Sequence, residues 1–212
     1  MKNKASVSAL LFSTGFFLML GILRYLPDVF VRLDLFTTSL AAPFQHLNSA
    51  SLFIVITTFG GIVGIILIGL IVALFLRSTP HLIMRMVVGL SATSLSVSLV
   101  KSLIERVRPP ALPWLGQLHS YSFPSGHSAS AMMLYGFILV VVFLYMKNSL
   151  TKRLLLFVLP LLILGIGISR VVLAAHYGSD VLAGFLLGGL WLSLVFVPDF
   201  SPQERKGMHR VH

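Results

Sequence analysis

Six apolar runs, each close to the length of a membrane-crossing helix, limit what this 212-residue chain can fold into. They cover roughly residues 5–25, 51–76, 82–104, 127–146, 154–173 and 179–197. About 20 mostly apolar residues cross the hydrocarbon core of a bilayer as a helix. The expected fold class is therefore all-α: a polytopic membrane protein with six transmembrane helices. Composition agrees, at 57% hydrophobic and 10% charged, against about 25% charged in soluble domains. No linker, low-complexity tract or internal repeat divides the chain. Residues 1–212 read as one domain, with 198–212 a polar cytoplasmic tail.

The basic start, Met1-Lys2-Asn3-Lys4, resembles that of a signal peptide. The run after it is too long for a signal core and lacks a small-residue cleavage site, so it reads as a retained first span. The net charge of +10 would suggest nucleic acid in a soluble chain. In a membrane protein it reads instead as basic flanks facing anionic lipid, together with a site for an anionic substrate. With no cysteine, disulfides, thiolate catalysis and cysteine metal sites are excluded. If the N-terminus is inside, ten of the sixteen Lys and Arg residues fall on inner segments. The positive-inside rule then puts both termini in the cytoplasm.

Gly60, Gly61, Gly64, Gly69, Gly184, Gly188 and Gly189 read as close-packing positions between helices. The serines of the third span read as hydrogen-bonding locally or between helices. The first outer connection, residues 27–48, carries Asp28, Arg32 and Asp34 among apolar residues. It fits a short helix lying along the membrane surface, and equally an ordinary loop.

Three clusters carry candidate chemistry. The first runs from Lys101, at the outer end of the third span, to Arg108-Pro109. The seven-residue spacing lets one helix face carry both cations. Arg108 offers a planar fork for phosphate oxygens and Lys101 a compact point charge. Alone, the cluster also fits a juxtamembrane anchor for lipid headgroups. The second is Ser122-Phe123-Pro124-Ser125-Gly126-His127-Ser128. It opens a helix, whose first N–H groups lack intrahelical partners and attract anions. Gly126 permits close approach to the backbone. Alone, the stretch also fits a turn with Ser125 as cap. The third is Ser169-Arg170 to His176 to Asp180. On a helix His176 and Asp180 would share a face. A carboxylate on one ring nitrogen fixes the tautomer and frees the other nitrogen to attack. A loop histidine beside an aspartate capping the sixth span is the plainer alternative. With six spans, the loops after the third and fifth lie on the same outer face. Two histidines, an aspartate, two arginines and a lysine therefore converge there.

Together the three clusters resemble the three-part signature of the type 2 phosphatidic acid phosphatase (PAP2) superfamily, in order and spacing over residues 101–180. That superfamily also holds glucose-6-phosphatase, bacterial undecaprenyl-diphosphate phosphatases and vanadium haloperoxidases. The resemblance implies a PAP2/haloperoxidase-like helical bundle and a metal-independent phosphatase without cofactor. It implies that His176 is the nucleophile, that Asp180 orients it and that His127 is the general acid. It implies that Lys101, Arg108, Arg170, Ser125 and Gly126 hold the phosphate. Phosphoryl transfer asks chiefly for positioning and charge stabilisation, which three cations and a helix N-terminus can supply. Metal ligation by His127 and His176 is the rival reading, but few outer acids are at hand: Asp28, Asp34, Glu105 and Asp180. Glu105, Arg106 and His119 match no role.

The expected function is a lipid phosphatase of the cytoplasmic membrane with an extracytoplasmic site. Its partner is a lipid phosphate entering from the bilayer; nothing calls for nucleic acid or an obligatory protein partner. Undecaprenyl diphosphate, phosphatidylglycerol phosphate, phosphatidate and lysophosphatidate are the candidate substrates. A transporter or flippase for anionic lipids is the alternative, since a cationic vestibule would serve it too. The apolar spans argue against a haloperoxidase.

Overall fold

The computed structural model describes the backbone of residues 2–110, 112 and 120–196, with side chains for all of these but 2–5 and 47–49. His119 and the tail expected at 198–212 lie outside the described residues. The described chain forms helices α1 (Lys2–Tyr25), α2 (Pro27–Ala41), α3 (Leu47–Thr58), α4 (Ile62–Phe75), α5 (Pro80–Ile104), α6 (Gly126–Tyr145), α7 (Leu150–Val172) and α8 (Gly178–Phe196). No strand occurs among the described residues. Five helices are long and apolar enough to cross a membrane: α1, α5, α6, α7 and α8. The bent pair α3 and α4 brings the number to six. The chain is a multi-pass all-α membrane protein, as the apolar runs predict.

The second span differs from the expected continuous helix over 51–76. It breaks between Thr58 and Ile62 and bends by 49°. The break falls at Gly60-Gly61, where helix propensity is lowest. Exposed polar backbone at membrane depth is tolerated only where protein satisfies it. Here Gly61 N–H donates to the carbonyls of Thr57 and Thr58, and the Tyr135 hydroxyl donates to the Phe59 carbonyl at 2.8 Å.

The bundle is centred on α6 and α8. The α8 helix packs on α6, α1 and α5, while α6 also packs on α7 and α5. Small residues allow this closeness. A Cβ on Gly184 would lie 2.5 Å from the Ser125 carbonyl oxygen, and one on Gly188 would lie 2.3 Å from that of Ala129. One on Gly189 would meet the Phe12 ring at 2.5 Å. These three bear out the close-packing reading. Gly69 does not, because a Cβ there would face open space. The outward surface is apolar, with Leu10, Phe17, Ile66, Leu70 and Leu74 all exposed, as a lipid solvent requires. In α5, Thr93 bonds its own helix at the Gly89 carbonyl, and Ser96 accepts from Trp191 of α8 at 3.0 Å.

Because the Ala129 oxygen is backbone, the two helices must part to admit a methyl group at position 188. Gly188→Ala is expected to destabilise by about 1–3 kcal/mol. Gly69→Ala, with open space for the methyl group and a better helix former inside α4, is expected to stabilise by about 0.5–1 kcal/mol. Melting temperatures in detergent check both.

The connection at 27–48 holds a helix, α2. Residues Phe30, Asp34 and Ala41 are buried on one side. Val29, Leu35, Phe36 and Leu40 are exposed. The inward side docks on the start of α8, where Thr37 sits within 2.6 Å of a Cβ built on Gly178.

Candidate active site

Two expectations of helical register give way to loop geometry. The α5 helix ends at Ile104, and Glu105 turns the chain out of it in the left-handed region, φ 51°. Lys101 and Arg108 therefore do not share a helix face. Arg106, Val107 and Arg108 run on without helical structure. Arg108 reaches His176, whereas Arg106 reaches Asp180. Likewise α8 begins at Gly178, after His176. The His176–Asp180 pair forms across a turn, with Nδ1 3.6 Å from Oδ2. Ala174 adopts φ 48°, and the N–H groups of Ala175 and His176 both donate to the Arg170 carbonyl at 3.0 and 3.1 Å. Non-glycine residues in this region cost energy and cluster at functional sites.

Backbone bonds stitch the loops together. Ser122 N–H donates to the Arg106 carbonyl at 2.8 Å, and Ser125 N–H donates to that of Asp180 at 3.0 Å. Ser125 caps α6 as expected, its hydroxyl accepting from Ser128 N–H at 3.4 Å. The next two residues, Gly126 and His127, begin the helix, so helix geometry leaves their N–H groups without intrahelical partners.

His176 is 3% exposed and Asp180 is fully buried. Arg108 Nη1 lies 3.3 Å from His176 Nε2. A guanidinium only donates, so this contact gives Nε2 the lone pair and Nδ1 the proton. Nδ1 then faces Asp180 at 3.6 Å, longer than a hydrogen bond, and has no hydrogen-bond partner among the described residues. The Asp180 carboxylate accepts from Arg106 Nη1 at 2.6 Å, from Tyr177 N–H at 2.9 Å and from the Ser122 hydroxyl. Arg108 also donates to the Ala175 carbonyl and to Ser120.

Arg170 is 8% exposed. It donates to Thr57 Oγ1 at 2.6 Å, while its Nε has no partner among the described residues. Its neighbour is thus the end of α3. His127 also lies against the break in that span. A Cβ on Gly60 would stand 3.4 Å from the His127 ring, and one on Gly61 would stand 3.5 Å from Nε2. Gly60 is a close-packing position as expected, since a Cβ there would meet Ile166 of α7 at 2.5 Å, and with Gly61 it also forms the surface under the imidazole. Arg170, His176, Arg108 and Lys101 all lie within electrostatic reach of His127. The two imidazoles and three cations therefore share one site, as expected. Lys101 is held at its edge, its amine donating to the carbonyls of Tyr121 and Ser122.

The helix cap, paired histidine and cation cluster all lie in the region that matches a known family. The sequence profile of the PAP2 superfamily covers residues 82–200, more than half of the chain. The chain belongs to the PAP2 superfamily. It is 35% identical over 135 residues to phosphatidylglycerophosphatase B of Bacillus subtilis (strain 168), a match spanning 62% of this chain and 64% of that protein. The chain thus aligns with less than two thirds of that relative's length. Its fold resembles the crystal structure of a transmembrane PAP2-type phosphatidylglycerolphosphate phosphatase from Bacillus subtilis. That likeness has a TM-score of 0.75 and 24% identity, and covers 97% of this chain and 99% of the other. It also resembles Aquifex aeolicus LpxE, at TM-score 0.59 and 22% identity over 76% and 93% of the two chains.

Around the PAP2 signature the structure gathers residues that sequence reasoning left aside. Arg106 lies between Asp34 and Asp180, with its guanidinium 4.5 Å from the centre of the Tyr177 ring. Burial works against its charge, but the Asp180 and Asp34 carboxylates more than offset this and hold its pKa above the ordinary value. Asp34, only noted as an outer acid, is 4% exposed. One signal was legible: Asp34 falls with Phe30 and Ala41 on one side of a helical repeat.

Burial depresses the His176 pKa to about 4, against the pull of Asp180 and aided by Arg108 and Arg170. The ordinary value is about 6.5. Between these values the unfolded chain binds the extra proton, so stability falls as pH drops through that window. The melting temperature is expected to decline from about pH 6.5 towards 4, and less steeply in His176→Gln. Thermal scans across pH in detergent check this.

Proposed function

We propose that the protein is a metal-independent lipid phosphate phosphatase working through a phosphohistidine. The observation that carries the reading is the placement of His176 between Arg108 Nη1, 3.3 Å from Nε2, and Asp180 Oδ2, 3.6 Å from Nδ1. Its Nε2 holds the lone pair, and a buried carboxylate stands behind its Nδ1. Such an imidazole is a nucleophile held ready. In the reaction Nε2 forms a bond to phosphorus as the bond to the leaving oxygen breaks. His127 gives that oxygen its proton. Water, deprotonated by His127, then attacks the phosphohistidine, releasing phosphate and restoring Nε2. Asp180 stabilises the positive imidazole throughout.

Arg108 has to leave Nε2 for attack to occur. Its guanidinium then turns onto the phosphate oxygens, where its charge serves best. The unpartnered Nε of Arg170 and the first N–H groups of α6 complete the cradle. Lys101 closes it from the side.

The substrate class we assign is a phosphorylated membrane lipid, with phosphatidylglycerol phosphate first. The name of the curated relative supports that order, and the exposed apolar sides of the helices suit a substrate arriving from the bilayer. The positive-inside distribution supports cytoplasmic termini and an extracytoplasmic site.

A phosphate-release panel tests the reading. It compares phosphatidylglycerol phosphate, phosphatidate, lysophosphatidate and undecaprenyl diphosphate, using purified protein in detergent with EDTA. Release from phosphatidylglycerol phosphate despite EDTA is the expected result. No release from any of the four would overturn the proposal.

A further inference from the structure

We propose that Asp34 and Arg106 are positioning residues, a buried pair on which the orientation of Asp180 and hence of His176 depends. The inference rests on the phosphatase reading above. Asp34 belongs to α2, the short helix before the second span, and Arg106 to the loop after α5. Both are remote in sequence from the Asp180 they serve.

The geometry is that of a bridge. Arg106 Nη2 donates to Asp34 Oδ2, and Nη1 donates to Asp180 Oδ1 at 2.6 Å and to Ser179 Oγ at 2.7 Å. Asp34 in turn accepts from Ser179 N–H and from its hydroxyl, both at 3.0 Å. Ser179 therefore has its N–H and hydroxyl fixed by the pair, and it is the neighbour of Asp180 in the first turn of α8. With Oδ1 of Asp180 taken by Arg106, Oδ2 is the oxygen that faces His176.

Charge explains why two residues are needed. Arg106 alone would neutralise Asp180 and weaken its support for a positive imidazole. Asp34 returns the charge: two carboxylates and one guanidinium sum to the charge of a single aspartate. The pair thus adds orientation while leaving the field at His176 nearly unchanged. A buried carboxylate or guanidinium left without its partner is strongly unfavourable, so each member depends on the other. A lysine cannot replace Arg106, since its single ammonium lacks the planar fork that spans Asp34 and Asp180.

The test is a double-mutant cycle on the full chain in detergent, with Asp34→Asn, Arg106→Gln and both together. Phosphatidylglycerol phosphate is the substrate, and melting temperature is followed in parallel. Each single change is expected to lower kcat by about 10- to 100-fold, with KM changing by less than about 3-fold. The double variant is expected to lose no more than the worse single, because its members no longer leave a charge unpaired. Arg106→Lys should not restore kcat. Singles within about 2-fold of the parent in kcat, or losses that multiply in the double variant, would overturn the assignment. A parent that hydrolyses none of the four lipids would be a failure of the functional reading instead. The bridge is then judged by melting temperature, where additive losses overturn it and sub-additive losses uphold it.

Discussion

Replacing His176 with alanine is expected to reduce phosphate release by a factor on the order of 10⁵ or more, the scale seen when a covalent nucleophile is removed. Arg108 stands at Nε2 and the Asp180 carboxylate lies behind Nδ1, so Nε2 keeps the lone pair. Neither Arg108 nor Arg170 can substitute, because guanidinium groups offer no lone pair. Steady-state release from phosphatidylglycerol phosphate gives the rate. Brief mixing with labelled lipid, followed by a base quench, should trap an acid-labile phosphoprotein in the parent and none in the variant. A melting temperature close to the parent's shows that the loss is chemical. A variant as active as the parent would remove His176 from the mechanism. A parent that moves anionic lipid between leaflets without releasing phosphate would favour a transporter.

Asp180→Asn is expected to cost about 10³- to 10⁴-fold in kcat, although the side chain changes by only one atom. The carboxylate accepts from Arg106, Ser122 and Tyr177 N–H, and faces the Nδ1 proton of His176. An amide has one acceptor and one donor group. If its NH₂ faces His176, Nδ1 must accept, the ring proton moves to Nε2 and the nucleophile's lone pair is lost. If its NH₂ faces Arg106 instead, two donors confront each other and Arg106 keeps a single carboxylate partner, Asp34. Neither orientation satisfies the site. Measured kcat beside KM checks this: kcat should carry the loss, since the proposed phosphate cradle of Arg108, Arg170 and the start of α6 is left in place.

The larger expected effects fall on residues that the sequence marks by type and spacing. Ser125 before Gly126-His127 reads as a helix cap, and it is one. The runs of apolar residues give five of the spans nearly to their ends. The interruption of the second span was less legible. Paired glycines within apolar sequence serve tight helix packing as readily as a break. The outcome turned on Tyr135 being placed to satisfy the Phe59 carbonyl. Arg108 shows the opposite case. Its seven-residue distance from Lys101 fitted a helix, but Glu105 ends that helix in a left-handed turn. The arginine follows without helical structure, so its partner is His176 rather than a helix neighbour.

By itself the sequence determined a bundle of membrane-crossing helices, and it named the histidines, cations and aspartate that the bundle brings to one face. Hydrophobic length and local spacing are properties of short segments, and such segments carry them wherever they pack. Only the tertiary structure decided which nitrogen of His176 is free, that the α3–α4 break lies under His127, and that Asp34 reaches Asp180 through Arg106. Those facts depend on contacts between residues far apart in the chain. A charge such as that of Asp34 reads as a solvated loop acid until α2 docks on α8 and removes its water.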